Sequence, residues 1–318
     1  MRSFILAAVL LLFPLDAFAQ DVQRWQTKNN YFQTMAGEKV TPRGVSLCSL
    51  EWHKPLEQIK SVTTPPDNWN INILRLPVQV REWDRVGADS YIKDYLDPAV
   101  KLCREKKLQC IIDWHEVGRW DDAENIKKLD DFWAQVAPRY AADRNIIYEI
   151  FNEPTEPKSK SAENWAAWKS FIQKRVDMVR MKAPNTLLLI GSPHWSQMPS
   201  FAAEDPVTGK NIAYVMHLYP NYKPGSWDKA FGNAAEKVPV ILTEWGWSAA
   251  EKHKGNYANP VYGTEEDFGK PLKEYLDARP HIGWTAWSYD EKCGPAMLGP
   301  DKDMGAFVKS WLEEANGP

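Results

Sequence analysis

Ile146-Ile147-Tyr148-Glu149-Ile150-Phe151-Asn152-Glu153-Pro154 is the stretch whose reading decides the fold. Its β-branched and aromatic residues predict a buried strand, because such side chains suit a pleated surface covered on both faces. The run then ends on an amide, a carboxylate and a proline. A buried strand gains nothing from a carboxylate at its mouth. Pro154 has no N–H to donate, so the ladder is expected to end there. Glu153 is therefore expected where a strand stops and a loop begins. A second apolar run, Val238-Pro239-Val240-Ile241-Leu242-Thr243-Glu244, ends the same way.

Short apolar runs recur on both sides of this stretch. Strands are predicted at 43–47, 71–77, 108–115, 146–154, 186–190, 211–218, 238–243 and 282–288. Helical spacing falls between them near 56–62, 91–107, 121–142, 161–182, 227–236 and 264–278, with a closing helix at 305–314. Pro65-Pro66 ends the first helix and Pro77 the second strand. Strands alternating with amphipathic helices predict a parallel sheet with helices outside. Eight of them predict a single-domain α/β fold, the (β/α)8 TIM barrel. An open doubly wound sheet is the rival, weakened because no Gly-rich phosphate turn follows an early strand. The polar stretch 25–40, with a turn at Ala36-Gly37-Glu38, reads as a hairpin covering the bottom of the barrel.

The chain has 318 residues and a formal net charge of −3. Nothing concentrates a basic face of the kind nucleic acid needs. Arg2, the apolar run 4–13 and Ala17-Phe18-Ala19 have the order of an export signal. That apolar run is too short to span a bilayer, which takes about 20 apolar residues; an uncleaved anchor is the rival reading. The expected division is a signal peptide over 1–19 and a barrel over 20–318, in a secreted or periplasmic monomer. Of 4 cysteines, three pairings are possible. Cys103 with Cys110 is favoured, because a helix end and the next strand start meet at one end of an αβ unit. That leaves Cys48 with Cys293, which a closed barrel brings together near its first and last strands. Free thiols remain the alternative in a reducing compartment, and no C-x-x-C pair suggests metal. The 16 tryptophans outnumber Tyr and Phe; some belong to the core, and the surplus also suits stacking on sugar faces.

Polar and aromatic residues crowd the predicted strand ends: Arg75, His115, Asn152 with Glu153, His194 with Trp195, His217 with Tyr219, Glu244, and Trp287. Each has a bland reading alone, as a buried ion pair, a core histidine, a helix-initiating carboxylate or a core ring. Together at one face they point to a site, since barrel chemistry collects at the C-terminal ends of strands. Two carboxylates there suit acetal cleavage, where one protonates the leaving oxygen and the other stands across the sugar ring. A metallohydrolase built on His115, His194 and His217 competes, but His115-Glu116-Val117-Gly118-Arg119 fails the H-E-x-x-H pattern. No G-x-S-x-G elbow supports a serine hydrolase.

The segments Arg43-Gly44-Val45, Leu74-Arg75-Leu76-Pro77, Asp113-Trp114-His115, Tyr148 to Pro154, His217-Leu218-Tyr219, Thr243-Glu244-Trp245-Gly246 and Trp284-Thr285-Ala286-Trp287 occur in one order along the chain. In this the chain resembles family 5 of the glycoside hydrolases, the cellulase-like retaining (β/α)8 enzymes of clan A. The resemblance implies Glu153 as acid/base and Glu244 as nucleophile. It implies Arg75 and Tyr219 as groups that hold Glu244 ionised, and Asn152 as the contact to the sugar 2-hydroxyl. It implies His115 and His217 as groups binding the sugar or tuning the glutamates, and Trp287 as the platform under the reactive ring. No metal or cofactor is implied. Trp52, Trp83, Trp120, Trp195 and Trp247 lie in or near the predicted loops, where they either stack on further sugars or pack loop against loop. The expected activity is endo-β-1,4-glucan hydrolysis with retention on a β-linked polysaccharide. Mannan hydrolysis is the alternative substrate, and a non-catalytic carbohydrate-binding barrel the alternative class.

Overall fold

The computed structural model describes residues 22–249 and 260–317; the export-signal stretch lies outside them. Eight parallel strands close into a barrel: β1 (Arg43–Ser46), β2 (Ile73–Gln79), β3 (Gln109–His115), β4 (Ile146–Glu149), β5 (Leu187–Ile190), β6 (Ile212–Leu218), β7 (Val240–Trp245) and β8 (Gly283–Trp287). Each pairs with its neighbour in chain order, and β8 closes on β1 with Trp284 opposite Arg43 and Trp287 opposite Ser46. Helices fill the crossovers, among them Ala123–Arg139 capped by Asp122, and Ala162–Lys182 capped by Ser161. Each cap side chain accepts backbone N–H groups that a helix start leaves unpaired.

Three prolines shape the elements differently from their sequence reading. β2 does not stop at Pro77 but runs to Gln79. The Arg75 carbonyl accepts from Leu47 N, so Arg75 faces β1, and Pro77, two residues on, faces the same way. β1 has already ended at Ser46, so the missing N–H of Pro77 costs no ladder bond. Conversely, β4 ends at Glu149, earlier than the predicted strand. Glu153–Pro154 forms a separate short parallel ladder with Val117–Gly118, where Glu153 N donates to Glu116 O and Thr155 N to Gly118 O. Pro154 lies between those two donors, so here too its ring breaks nothing. The predicted 91–107 helix is segmented: Ala88–Tyr91, a wide π-type turn Ile92–Leu96, then Asp97–Glu105. Pro98 removes one i→i−4 bond and crowds the preceding turn, which widens.

Two apolar layers hold the barrel. Outside, the helices pack on the strands. Inside, Ile73, Ile111, Ile147, Leu187, Leu189, Ala213, Val215 and Ile241 meet Trp25 and Phe32 from an antiparallel three-stranded sheet, Trp25–Lys28, Tyr31–Thr34 and Lys39–Val40. That sheet caps the bottom of the barrel: Thr27 N donates to Asn211 Oδ1, and the Arg24 guanidinium to Thr186 and the Ala141 carbonyl. Trp83 and Trp247 are 6% and 0% exposed, packed on Phe132 and Phe307, so they are core and not sugar platforms. Trp120 packs on Trp168 and Phe171 and donates to the Glu156 carbonyl. Disulfides join Cys48 to Cys293 and Cys103 to Cys110, with Cα separations of 6.1 and 6.6 Å.

Candidate active site

Period-two alternation builds the site directly above the inner apolar layer. Two residues beyond Ile73, Ile111, Ile147, Val215 and Ile241 stand Arg75, Asp113, Glu149, His217 and Thr243, all fully buried. Each pair shares one face of its strand, so a polar layer rests on an apolar one. On β7 the register shifts: Val215 pairs with Ile241, but His217 pairs with Glu244, so β7 carries one extra residue. A bulge re-aims side chains. Here it lets consecutive residues, Thr243 and Glu244, both reach the buried polar cluster.

Arg75 is the hub. Its Nε donates to Glu149 Oε2 at 2.7 Å and its Nη1 to Glu244 Oε1 at 2.8 Å. Its Nη2 donates to Asn152 Oδ1 at 2.6 Å and lies 2.9 Å from Asp113 Oδ2. Burial alone would discharge such a cation; three carboxylates outweigh it and hold the guanidinium charged. Burial likewise pushes Glu149 up, but Arg75 and His217 overcome it and bring its carboxyl down to about 2. Glu244 is held below the usual carboxylate range against burial by His217, Arg75, His115 and Tyr219. Asp113 is raised, burial prevailing over Arg75.

Glu244 also accepts from the Tyr219 hydroxyl at 2.9 Å, and burial beside two carboxylates raises that phenol well above its ordinary value, so it stays a donor. His115 Nδ1 lies 2.7 Å from Asp113 Oδ2, and its ring stacks on Trp287 at 5.2 Å with planes 7° apart. The Asn152 amide nitrogen is buried with no protein partner, a free donor at the floor of the site.

His217 bridges the two glutamates of the paired motif. Its Nδ1 is 2.7 Å from Glu153 Oε1 and 3.6 Å from Glu244 Oε2. Its Nε2 is 3.0 Å from Thr243 Oγ1, and that hydroxyl donates to Glu149 Oε1 at 2.9 Å. Thr243 has one hydrogen and gives it to Glu149, so it accepts from His217, and Nε2 carries a proton. Burial works against the imidazolium, yet Glu244, Glu149 and Glu153 raise it to about 10. A second proton is therefore held on the short contact between Nδ1 and Glu153.

Of the residues singled out in the sequence, Arg75, His115, Asn152, Glu153, His217, Tyr219, Glu244 and Trp287 meet in one cluster. Trp195 stands apart on the β5 loop, half-exposed, where His194, Trp195 and Ser196 all adopt left-handed backbone (φ 60°, 57° and 54°). Such residues cost on the order of 1–3 kcal/mol each and persist only when over-determined. Ser196 is fixed from behind: its N donates to the Ser192 carbonyl and its hydroxyl to the Asn152 carbonyl. Among the described residues, His194 hydrogen-bonds to none of the carboxylates, and its Nδ1 is buried without a partner. Glu149, Asp113 and Thr243 received no role from the sequence, although a charged or hydroxyl residue two positions past an inner apolar one was the available signal.

One ligand atom each from Glu153, His217 and Glu244 lies within 4.8 Å of the others, the one such group that metal-ligand geometry picks out among the described residues. The Arg75 guanidinium on Glu244 and the protonated imidazole both oppose a cation there.

A closed parallel barrel with two glutamates facing each other at its C-terminal mouth places the chain among the paired-carboxylate (β/α)8 proteins. The family model for cellulase (glycosyl hydrolase family 5) matches residues 34–292, and the chain belongs to that family. Endoglucanase E-5 of Thermobifida fusca is 28% identical over 264 residues, covering 80% of this chain and 53% of the relative. Cellulase CelDZ1 of a Thermoanaerobacterium species is 28% identical over 268 residues, covering 80% of this chain and 67% of its own. The chain thus spans only about half the length of the Thermobifida protein. Among solved structures, a β-glucanase of Saccharophagus degradans in complex with cellotetraose superposes with a TM-score of 0.79 at 26% identity, covering 92% of this chain and 94% of that one.

Proposed function

We propose that the protein is an exported endo-β-1,4-glucanase that hydrolyses internal glycosidic bonds with retention, Glu244 acting as nucleophile and Glu153 as acid/base. The observation that carries this reading is that one carboxylate oxygen of Glu153 and one of Glu244 lie within 4.8 Å of each other. Retaining pairs stand about 5–5.5 Å apart, whereas inverting pairs need about 6.5–9.5 Å to admit a water. Glu244, kept ionised by Arg75 and hydrogen-bonded by Tyr219, attacks the anomeric carbon and forms a glycosyl ester. Glu153 gives the leaving oxygen the proton held on its contact with His217, which is left neutral with its Nε2 proton on Thr243. A water then enters, Glu153 takes its proton, and the ester is cleaved. The free Asn152 amide suits the sugar 2-hydroxyl, whose contact strengthens in the transition state. Trp287 and His115 form a flat wall for the reactive ring, and Trp195 offers a further stacking face.

The β-glucan substrate is supported by the relatives' names and by cellotetraose in the Saccharophagus structure. Export is supported by the N-terminal sequence and by the two disulfides; no helix among the described residues is long and apolar enough to cross a membrane. We take the working species to be a monomer with no cofactor. Reducing-end release from soluble β-glucan, mannan and xylan tests the substrate, and glucan is expected to be cleaved fastest. Glu244→Ala is expected to abolish turnover; near-normal activity would sink the assignment. NMR of the first products is expected to show β anomers from a β-linked glucan, and α anomers would reject retention.

A further inference from the structure

A cavity of about 710 Å³ lies between the segments that follow β5 and β6, and its lining reaches up to loops that leave the barrel mouth. Its upper rim is made by three loops of the site. Lys160 comes from the loop that begins at Glu153, Gln197 from the turn that carries Trp195, and Tyr222 from the loop after Tyr219. These three are wired together: the Lys160 ammonium donates to the Tyr222 hydroxyl, which donates to Gln197 Oε1 at 2.6 Å.

The wiring has a direction. Tyr222 gives its only hydrogen to Gln197, filling one of the two lone pairs of that carbonyl. The donors that these contacts leave at the rim are the Gln197 amide nitrogen and the remaining Lys160 hydrogens. No carboxylate pairs with Lys160 or with Lys229, which lines the same cavity, among the described residues; the Glu204 carboxylate is engaged by Lys237 at 2.6 Å. The walls are apolar, with the half-buried ring of Phe201 and the small side chains of Ala203, Ala230 and Ala234. Unpaired cations and amide donors above an apolar, partly aromatic wall fit a ligand with a C–H face and a carboxylate.

We propose that this cavity binds a hexuronate, as an acidic substituent on the β-glycan held at the catalytic face, with Lys160 and Lys229 meeting its carboxylate. The part of this concerning the glycan chain rests on the functional reading above; the binding of the acidic sugar does not. Titration calorimetry with sodium glucuronate, glucose and inorganic phosphate on the whole protein tests it. Saturable glucuronate binding is expected, stronger than for glucose. Lys160→Gln and Lys229→Gln are each expected to weaken it about tenfold, the scale of one charge-assisted hydrogen bond. Lys174→Gln, on an exposed helix position outside the cavity, is expected to leave it unchanged. No glucuronate binding, equal binding of glucose, phosphate binding as tight as glucuronate, or equal losses in all three variants would each overturn the proposal. In hydrolysis, Lys160→Gln is expected to slow cleavage of a carboxylated β-1,4-glucan relative to a neutral one; an unchanged ratio overturns the glycan part. Glucuronate binding without hydrolysis of any glucan supports the cavity and overturns the catalytic reading instead.

Discussion

Glu149 shows how much a single buried carboxylate sets at this site. It neutralises Arg75, and through Thr243 it fixes which nitrogen of His217 keeps a proton. It is also one of the groups that raise His217 to about 10. Replacing it by Gln removes a negative charge, so the imidazolium loses its proton at lower pH. The alkaline limb of the kcat/KM profile of Glu149→Gln is therefore expected to move to lower pH, and an unmoved limb would disconnect Glu149 from His217. The same residue couples folding to acid. Its folded-state value of about 2 lies below the ordinary 4.5, so its contribution to stability is complete above about 4.5 and lost as pH falls through about 2. Denaturant unfolding at a series of pH values is expected to show that loss in the parent protein and a flatter profile in Glu149→Gln.

The proposed catalytic pair stood out by residue type because Glu153 and Glu244 end apolar runs, where a carboxylate is conspicuous. Glu149 and Asp113 stand inside such runs, and there the period-two alternation had to be followed residue by residue to notice them. Among pairings of distant segments, Cys48 with Cys293 was readable from the closed barrel and Arg75 with Glu244 came with the resemblance, but nothing local announces that Arg75 also reaches Asp113, Glu149 and Asn152. Trp83 and Trp247 illustrate the same limit, since a tryptophan near a strand end looks alike whether its ring faces a sugar or a neighbouring helix.

At the scale of elements, the turn of residues 193–196 after β5 carries more than its length suggests. Three consecutive left-handed residues are held by the Ser192–Ser196 hydrogen bonds, and the Ser196 hydroxyl braces the Asn152 carbonyl next to Glu153. A Cβ at Gly191 would lie 2.5 Å from the Phe151 carbonyl oxygen, so the turn is also seated as closely as backbone allows. Ser196→Ala leaves the Asn152 carbonyl without its partner and is expected to cost about 1–3 kcal/mol in denaturant unfolding, with a fall in kcat. Trp195→Ala is expected to raise KM for a cello-oligosaccharide while leaving the unfolding midpoint in place, because that ring is half-exposed. Strand and helix order followed from spacing. The bulge in β7 did not, since an extra residue in a strand changes no composition and appears only when both partners are laid side by side.

At the scale of the molecule, the barrel seam lies between β8 and β1, the two strands furthest apart in the chain. The Cys48–Cys293 bond crosses the loops that leave those strands. It makes everything between residues 48 and 293 a covalent ring. A protease that cuts once in a surface loop of that ring opens it without dividing the molecule. A singly nicked sample is therefore expected to migrate as one species on a denaturing gel without reductant and as two fragments once thiol is added. Fragments that separate without reductant would show that the clasp does not form. Wherever proteases meet the protein, such a ring lets it survive a first cut as one chain of contacts, still closed around its buried charges.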